Sequence, residues 1–166
     1  MKIRVDQKIF LNLALCIAIY SWPCFASLDN NINTIQAQGN IGLNFNQPAT
    51  NNQIAIFIVN SNYAAGFHIQ FNFSNKGKFI QGSKEIAITS MVLNKMGSGT
   101  LGAGLTEPTN LAITLDGSGN WNWSPGVPTT ETVSYLIEIK ASWSDPSSQI
   151  AGFFLENIQP TIFIGP

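Results

Sequence analysis

The mature part of the sequence alternates, and alternation permits few folds. "GFHIQFNF" (66–73) spaces Phe67, Ile69, Phe71 and Phe73 two apart, with His68, Gln70 and Asn72 between them. Successive side chains of a strand point to opposite faces, so this period describes a strand with one face in a core and one in water. "TVSYLIEIKASW" repeats the pattern, with Val133, Tyr135, Ile137 and Ile139 on one face. "IQAQGNIGLNF" sets Ile35, Ala37, Ile41, Leu43 and Phe45 against Gln36, Gln38, Asn40 and Asn44, with Gly39 as a bulge or bend. "IAIFIVN" (54–60) is apolar at nearly every position and reads as a central strand. In "KEIAITSMVLNK" (84–95), Ile86, Ile88, Ser90 and Val92 share one face, yet Met91 and Leu93 make the other face apolar too. "NLAITLDGSGNWNW" reads as a strand with Leu111, Ile113 and Leu115 inward, a turn at Asp116-Gly117, and a return strand bearing Trp121 and Trp123. "IAGFFLENIQPTIFI" (150–164) closes the chain, and Pro160 has no N–H, so this last strand is an edge strand there, or is broken or bulged.

No segment after residue 26 carries a 3.6-residue apolar period. About seven short strands divided by Gly, Pro and Asn turns predict an all-β fold. The expected form is an immunoglobulin-like antiparallel β-sandwich without the Cys–Trp–Cys signature.

The first 26 residues read differently. Lys2, Arg4 and Lys8 precede an apolar run, Ile9 to Tyr20, which is too short to span a bilayer and suits a signal-peptide core. Cys24-Phe25-Ala26 offers a small-x-small site, so cleavage is expected after Ala26; a lipid anchor on Cys24 is the competing reading. The expected organisation is a signal peptide, 1–26, and one domain, 27–166, with no membrane span after cleavage. Localisation follows: exported, to the periplasm, the cell surface or the outside. Cys16 and Cys24 both fall before residue 27, so no disulfide supports the domain, and about 140 residues must rely on their core. Five lysines (76, 78, 84, 95 and 140) face eight carboxylates, 5 − 8 = −3. Such sparse, unclustered charge does not suit nucleic acid.

Candidate chemistry is thin. His68 is the chain's single histidine, placed by the alternation on an outer face with no acid near it in sequence, so a Ser–His–Asp triad is not expected. One histidine and no cysteine after residue 26 do not make up a zinc ligand set, and no cofactor motif is present. "GSGTLGAGLTEP" (97–108) lacks the lysine and helix start of a phosphate loop. "DGSGN" (116–120) offers Asp116, Ser118 and Asn120 but no later Glu, which favours a turn over a calcium loop. A pair of carboxylates converging in a cleft would make a glycosidase, but nothing in the sequence marks a pair. Trp121 and Trp123 share a face and, if exposed, could stack sugar rings; if buried, they cap the core. No catalytic, cofactor-binding or metal-binding residue is assigned.

Two stretches carry a resemblance. "NSNYAAGFHIQFNFSNKGKFIQGS" (60–83) and "YLIEIKASWSDPSSQIAGFFLENI" (135–158) resemble segments of secreted bacterial pilin-like, fimbrial subunits. The resemblance covers about half of residues 27–166. It implies an incomplete sandwich completed by a strand donated from the next subunit. Partners would then be copies of the chain or related subunits, with a periplasmic chaperone. Ile35, Ala37, Ile41, Leu43 and Phe45 would be the inward positions of such a donor or edge strand, pairing in cis or in trans. The functional expectation is therefore an exported, non-enzymatic structural or adhesive protein. The alternative is a carbohydrate-binding sandwich module using Trp121 and Trp123.

Overall fold

The computed structural model describes residues 33–38, 41, 43–45, 47–62, 65–127, 132–144 and 156–165. All of them lie in the compact unit Asn31–Pro166. The basic start, the apolar run, Cys24 and the expected cleavage after Ala26 fall outside the described residues, as does Gly39.

Among the described residues the secondary structure is strand alone. In chain order the strands are β1 (Asn33–Ala37), β2 (Ala49–Ser61), β3 (Phe67–Phe73), β4 (Lys78–Gln81), β5 (Lys84–Thr100), β6 (Leu111–Ala112), β7 (Asn120–Gly126), β8 (Val133–Trp143) and β9 (Ile158–Ile164). They form two sheets. The larger runs β1-β2-β8-β5-β4, with β6 also on β5; the smaller runs β7-β3-β9. Every pairing is antiparallel. The sheets share one core: the Phe57 ring of β2 meets the Phe71 ring of β3 at 5.5 Å, and Trp123 of β7 meets Tyr135 of β8 edge-on at 6.3 Å. The fold is an all-β antiparallel sandwich. The strands beyond the expected seven include β4 and β6, of four and two residues.

The strongest alternations become the centre of each sheet. Phe67, Ile69, Phe71 and Phe73 of β3 are buried, as are Val133, Tyr135, Ile137, Ile139, Ala141 and Trp143 of β8. Burying side chains of this size stabilises the fold by roughly 1.5–3 kcal/mol each, so these two strands anchor the core without a disulfide. β2 is central, as its density of apolar residues predicts. Phe57 and Val59 face inward, while Ile56 and Ile58 remain half-buried on the outer face.

A bulge explains the ambiguous strand. Ile88 pairs with Trp143 and Ser90 with Ser142, so Thr89 is one residue too many on β5. A single extra residue inverts the side-chain parity that follows it. Ile86 is therefore buried and Ile88 packs on the core before the bulge; after it Met91 and Leu93 turn inward, and Ser90 and Val92 turn outward. No one face holds Ile86, Ile88, Ser90 and Val92 as the sequence pattern suggested.

Two further expectations need correction. Residues 35–45 are not one strand. β1 ends at Ala37, with a last backbone bond from Gln38 N to Ile56 O at 2.8 Å. Leu43 and Phe45 leave the strand conformation. Phe45 is buried between Phe79 at 4.7 Å and Trp143 at 5.3 Å, where removing its ring from water is favourable. The other correction concerns the turn at Asp116, which does not join a hairpin. β6 pairs with β5 in the large sheet and β7 with β3 in the small one, so the turn carries the chain from one sheet to the other. Ile113 and Leu115 lie between strands and still pack on the core.

The edges are guarded chiefly by short strands and prolines, with Lys78 as a charge on β4. β1, β4 and β6, at the margins of the large sheet, are short. Both edge strands of the small sheet contain a proline, Pro125 in β7 and Pro160 in β9. Short strands and prolines limit pairing with other chains. β9 keeps an unbroken register with β3 from Ile158 to Ile164, so Pro160 marks an edge and not a break.

Candidate functional site

Among the described residues, the histidine and a row of amides stand on the outer face of the small sheet, and Asp116 and Glu156 sit at turns. Phe67, Ile69, Phe71 and Phe73 face inward, so His68, Gln70 and Asn72 stand outside on β3. The registers place Asn122 beside Gln70 and Asn120 beside Asn72 on one flank, and Phe163, Thr161 and Gln159 beside His68, Gln70 and Asn72 on the other. Two amide bridges tie β3 to β7: Gln70 Nε2 donates to Asn122 Oδ1 at 3.2 Å, and Asn72 Nδ2 donates to Asn120 Oδ1 at 2.8 Å. The half-buried His68 ring stacks on Phe163, with centroids 5.0 Å apart and planes 13° from parallel. Phe163 is 41% exposed. The sequence period assigned His68, Gln70 and Asn72 to this face. It gave no cue to Phe163, which meets His68 only because β9 returns beside β3.

Trp121 and Trp123 point the other way. They pair with Phe71 and Ile69, whose side chains fill the core. Trp123 is only 6% exposed, and Trp121 is half-buried with its ring stacked on Phe71 at 5.8 Å. Trp123 belongs to the core and Trp121 packs half-buried against it, so the pair does not present an exposed sugar-stacking platform. The period-two rule put them on one face correctly but could not say which face the core would take. Trp143, at the sandwich end, is also buried, and its indole N–H donates to Gln47 O at 3.1 Å.

The described carboxylates hold structure together. Glu85 pairs with Lys78 at 2.9 Å, Glu107 with Lys95 at 3.1 Å, and Glu138 with Lys140 at 2.8 Å. Asp116 Oδ1 accepts the backbone N–H groups of Ser118 and Asn120, each at 2.8 Å. The Asn120 N–H above all holds this carboxyl below its ordinary value. An oxygen already caged by its own turn is a poor start for a calcium loop. Glu156 accepts backbone N–H groups of Asn75 at 2.9 Å and Lys78 at 3.1 Å, which ties the turn after β3 to the start of β9. Burial pushes its carboxyl up, against the pull of those N–H groups. Among the described residues no three His, Cys, Asp or Glu side chains cluster as metal ligands would. In the core, the buried Tyr135 hydroxyl has no hydrogen-bond partner among the described residues, and burial pushes its pKa up.

Of the inward positions expected on a donor or edge strand, Ile35 pairs with Val59 and Ala37 with Phe57, both in cis. Ile35, Leu43 and Phe45 pack on the chain's own core; Ala37 is exposed and Ile41 half-buried. Among the described residues no helix is long and apolar enough to cross a membrane. No family model, curated protein or solved structure matches the chain, so any reading of its function rests on the geometry above.

Proposed function

We propose that the protein is an exported structural or adhesive β-sandwich without catalytic activity, working through strand edges and sheet faces. One observation supports this most. Each described carboxylate is engaged by a lysine or by backbone N–H groups, and the histidine stacks on a phenylalanine, while the outer face of the small sheet carries polar side chains in ordered rows. Export is supported by the basic start followed by an apolar run and a small-x-small site.

Assembly in the pilin-like manner would use β1. It is a five-residue edge strand whose ladder with β2 can form within a chain or between copies. Cα atoms of β1 and β9 approach within 8 Å. A strand laid between them in a sheet would hold them about 10 Å apart, twice the spacing of paired strands. Exchange of β1 therefore fits this seam better than insertion of an extra strand. The test is an unheated SDS gel of the purified protein. Ladders that vanish on deletion of residues 27–45 are expected, and a strictly monomeric protein would overturn the assembly part. Hydrolysis abolished by Glu85→Gln or Glu156→Gln, in a variant that still folds, would overturn the non-catalytic part.

A further inference from the structure

We infer that the outer face of the β7-β3-β9 sheet is a binding site for a neutral, hydroxyl-rich glycan. This rests on the adhesive reading above and names what would be adhered to. The side chains that the registers place on this face carry no Lys, Arg, Asp or Glu, so neither an anionic polymer nor a basic peptide finds a complementary charge there. They are chiefly amides. An amide presents a donor and an acceptor together, which is also what a pair of sugar hydroxyls requires. Gln70 with Asn122, and Asn72 with Asn120, are already bridged across the strands, so two rungs of the face are ordered before any ligand arrives and less side-chain entropy remains to be lost. At one end His68 and Phe163 stack, which fixes the Phe163 ring while 41% of that residue stays exposed. A held, exposed aromatic ring beside donor–acceptor amides combines apolar contact with orienting polar groups, as small-molecule sites do. The sugar-binding chemistry sought in Trp121 and Trp123 is thus on the opposite face of the same sheet, where the core does not consume it.

The strand spacing supports an extended ligand. Neighbouring strands lie about 4.8 Å apart, and same-face residues along a strand about 7 Å apart. The face therefore offers regularly spaced hydrogen-bonding rungs, suited to a repeating polymer more than to a single small molecule. A second copy of the chain is the competing occupant, because rows of Asn and Gln can also stack on themselves.

The experiment is native affinity electrophoresis of the purified protein in gels containing hydroxyethyl cellulose, galactomannan or soluble starch, with alginate as the anionic control. Retardation in at least one neutral polysaccharide and none in alginate is expected. Phe163→Ala should weaken it about tenfold, and Gln70→Ala with Asn122→Ala should abolish it, with thermal midpoints close to that of the parent. Should the double variant fail to fold, Asn122→Ala alone, at an exposed position, is expected to weaken binding measurably. No retardation in any neutral gel, or retardation indifferent to these substitutions, overturns the assignment and leaves the structural role intact. Self-association by light scattering that these variants abolish, without retardation, overturns it in favour of a second copy. Reducing ends released from a retarding polysaccharide support the face as a glycan site while overturning the non-catalytic reading.

Discussion

Gly119 and Asp116 show how much a single turn can rest on two residues. Gly119 sits at φ +85°, and a Cβ there would lie 2.6 Å from Phe73 O, the start of the β3 exit turn. Its carbonyl also accepts the Phe73 N–H at 2.8 Å, so the glycine cannot move aside without breaking a bond. Gly119→Ala is expected to cost about 2 kcal/mol or more, from left-handed strain together with the clash. Gly82→Ala is the control: at φ +58° with nothing within 4 Å of an added Cβ, it should cost about 1 kcal/mol. Urea denaturation of both variants checks this, and equal losses would refute the steric argument. Asp116 gives the turn a pH dependence. Because its folded-state pKa lies below the ordinary 3.8, its contribution is present above that value. It is lost as pH falls through the lowered one. Asp116→Asn keeps an acceptor oxygen but has no proton to gain. The stability gap between parent and variant should therefore be widest near neutral pH and close in acid, as denaturation at pH 6 and pH 3 would report; a gap that widens in acid would contradict the assignment.

At the scale of the element, the bulge at Thr89 carries the main lesson. The extra residue lets one strand bury Ile86 on one side of it and Met91 and Leu93 on the other. Thr89 Oγ1 steadies the bulge by donating to Ser142 O at 3.0 Å. Deleting Thr89 would restore one-to-one pairing and turn either the Ile86–Ile88 half or the Met91–Leu93 half to solvent. The expected outcome is loss of a cooperative thermal transition in circular dichroism; Thr89→Ala, which keeps the count, should melt cooperatively with a loss of about 1 kcal/mol. A cooperative melt of the deletion near the parent midpoint would show that parity is not what β5 needs. The same strand marks the limit of what could be read from residues. Clean alternation gave β3 and β8, their inward faces and the outward placement of His68. Alternation averages over a bulge, so "KEIAITSMVLNK" looked apolar on both faces. The period also says nothing of which sheet a strand joins, and the Asp116 turn therefore passed for a hairpin. Nor does it register a partner 95 residues away, so Phe163 beside His68 was invisible; Phe45 was placed inward, but on a strand that it does not join. These features depend on tertiary pairing and not on local spacing.

For the whole molecule, the order of the strands sets how it must fold. Among the nine described strands, five of the eight steps along the chain change sheet: β2 to β3, β3 to β4, β6 to β7, β7 to β8 and β8 to β9. Of the seven ladders described, four join strands that are not neighbours in sequence. The β2–β8 pairing, for example, joins Ala49 to Trp143. Loop closure opposes each such pairing before burial rewards it, so folding on the millisecond-to-second scale is expected. β8 is the hub, paired with β2 on one side and β5 on the other, and its inward face is buried along its whole length. β9 is the last of the described strands, pairs with β3 alone among them and leaves Ile162 only partly buried. A transition state that forms the hub first and docks β9 late follows from these differences. In a chevron analysis by tryptophan fluorescence, Ile137→Val, costing about 1 kcal/mol, should mainly slow folding; Ile162→Ala should mainly speed unfolding. The reverse pattern would place β9 in the nucleus. Late docking of β9 also bears on the outer face of the small sheet. Phe163 reaches His68 only through β9, so the glycan face would be completed by the last strand to arrive. In pulsed hydrogen exchange during refolding, protection of the β9 amides should then lag recovery of the tryptophan signal from the core, and simultaneous recovery would contradict the order.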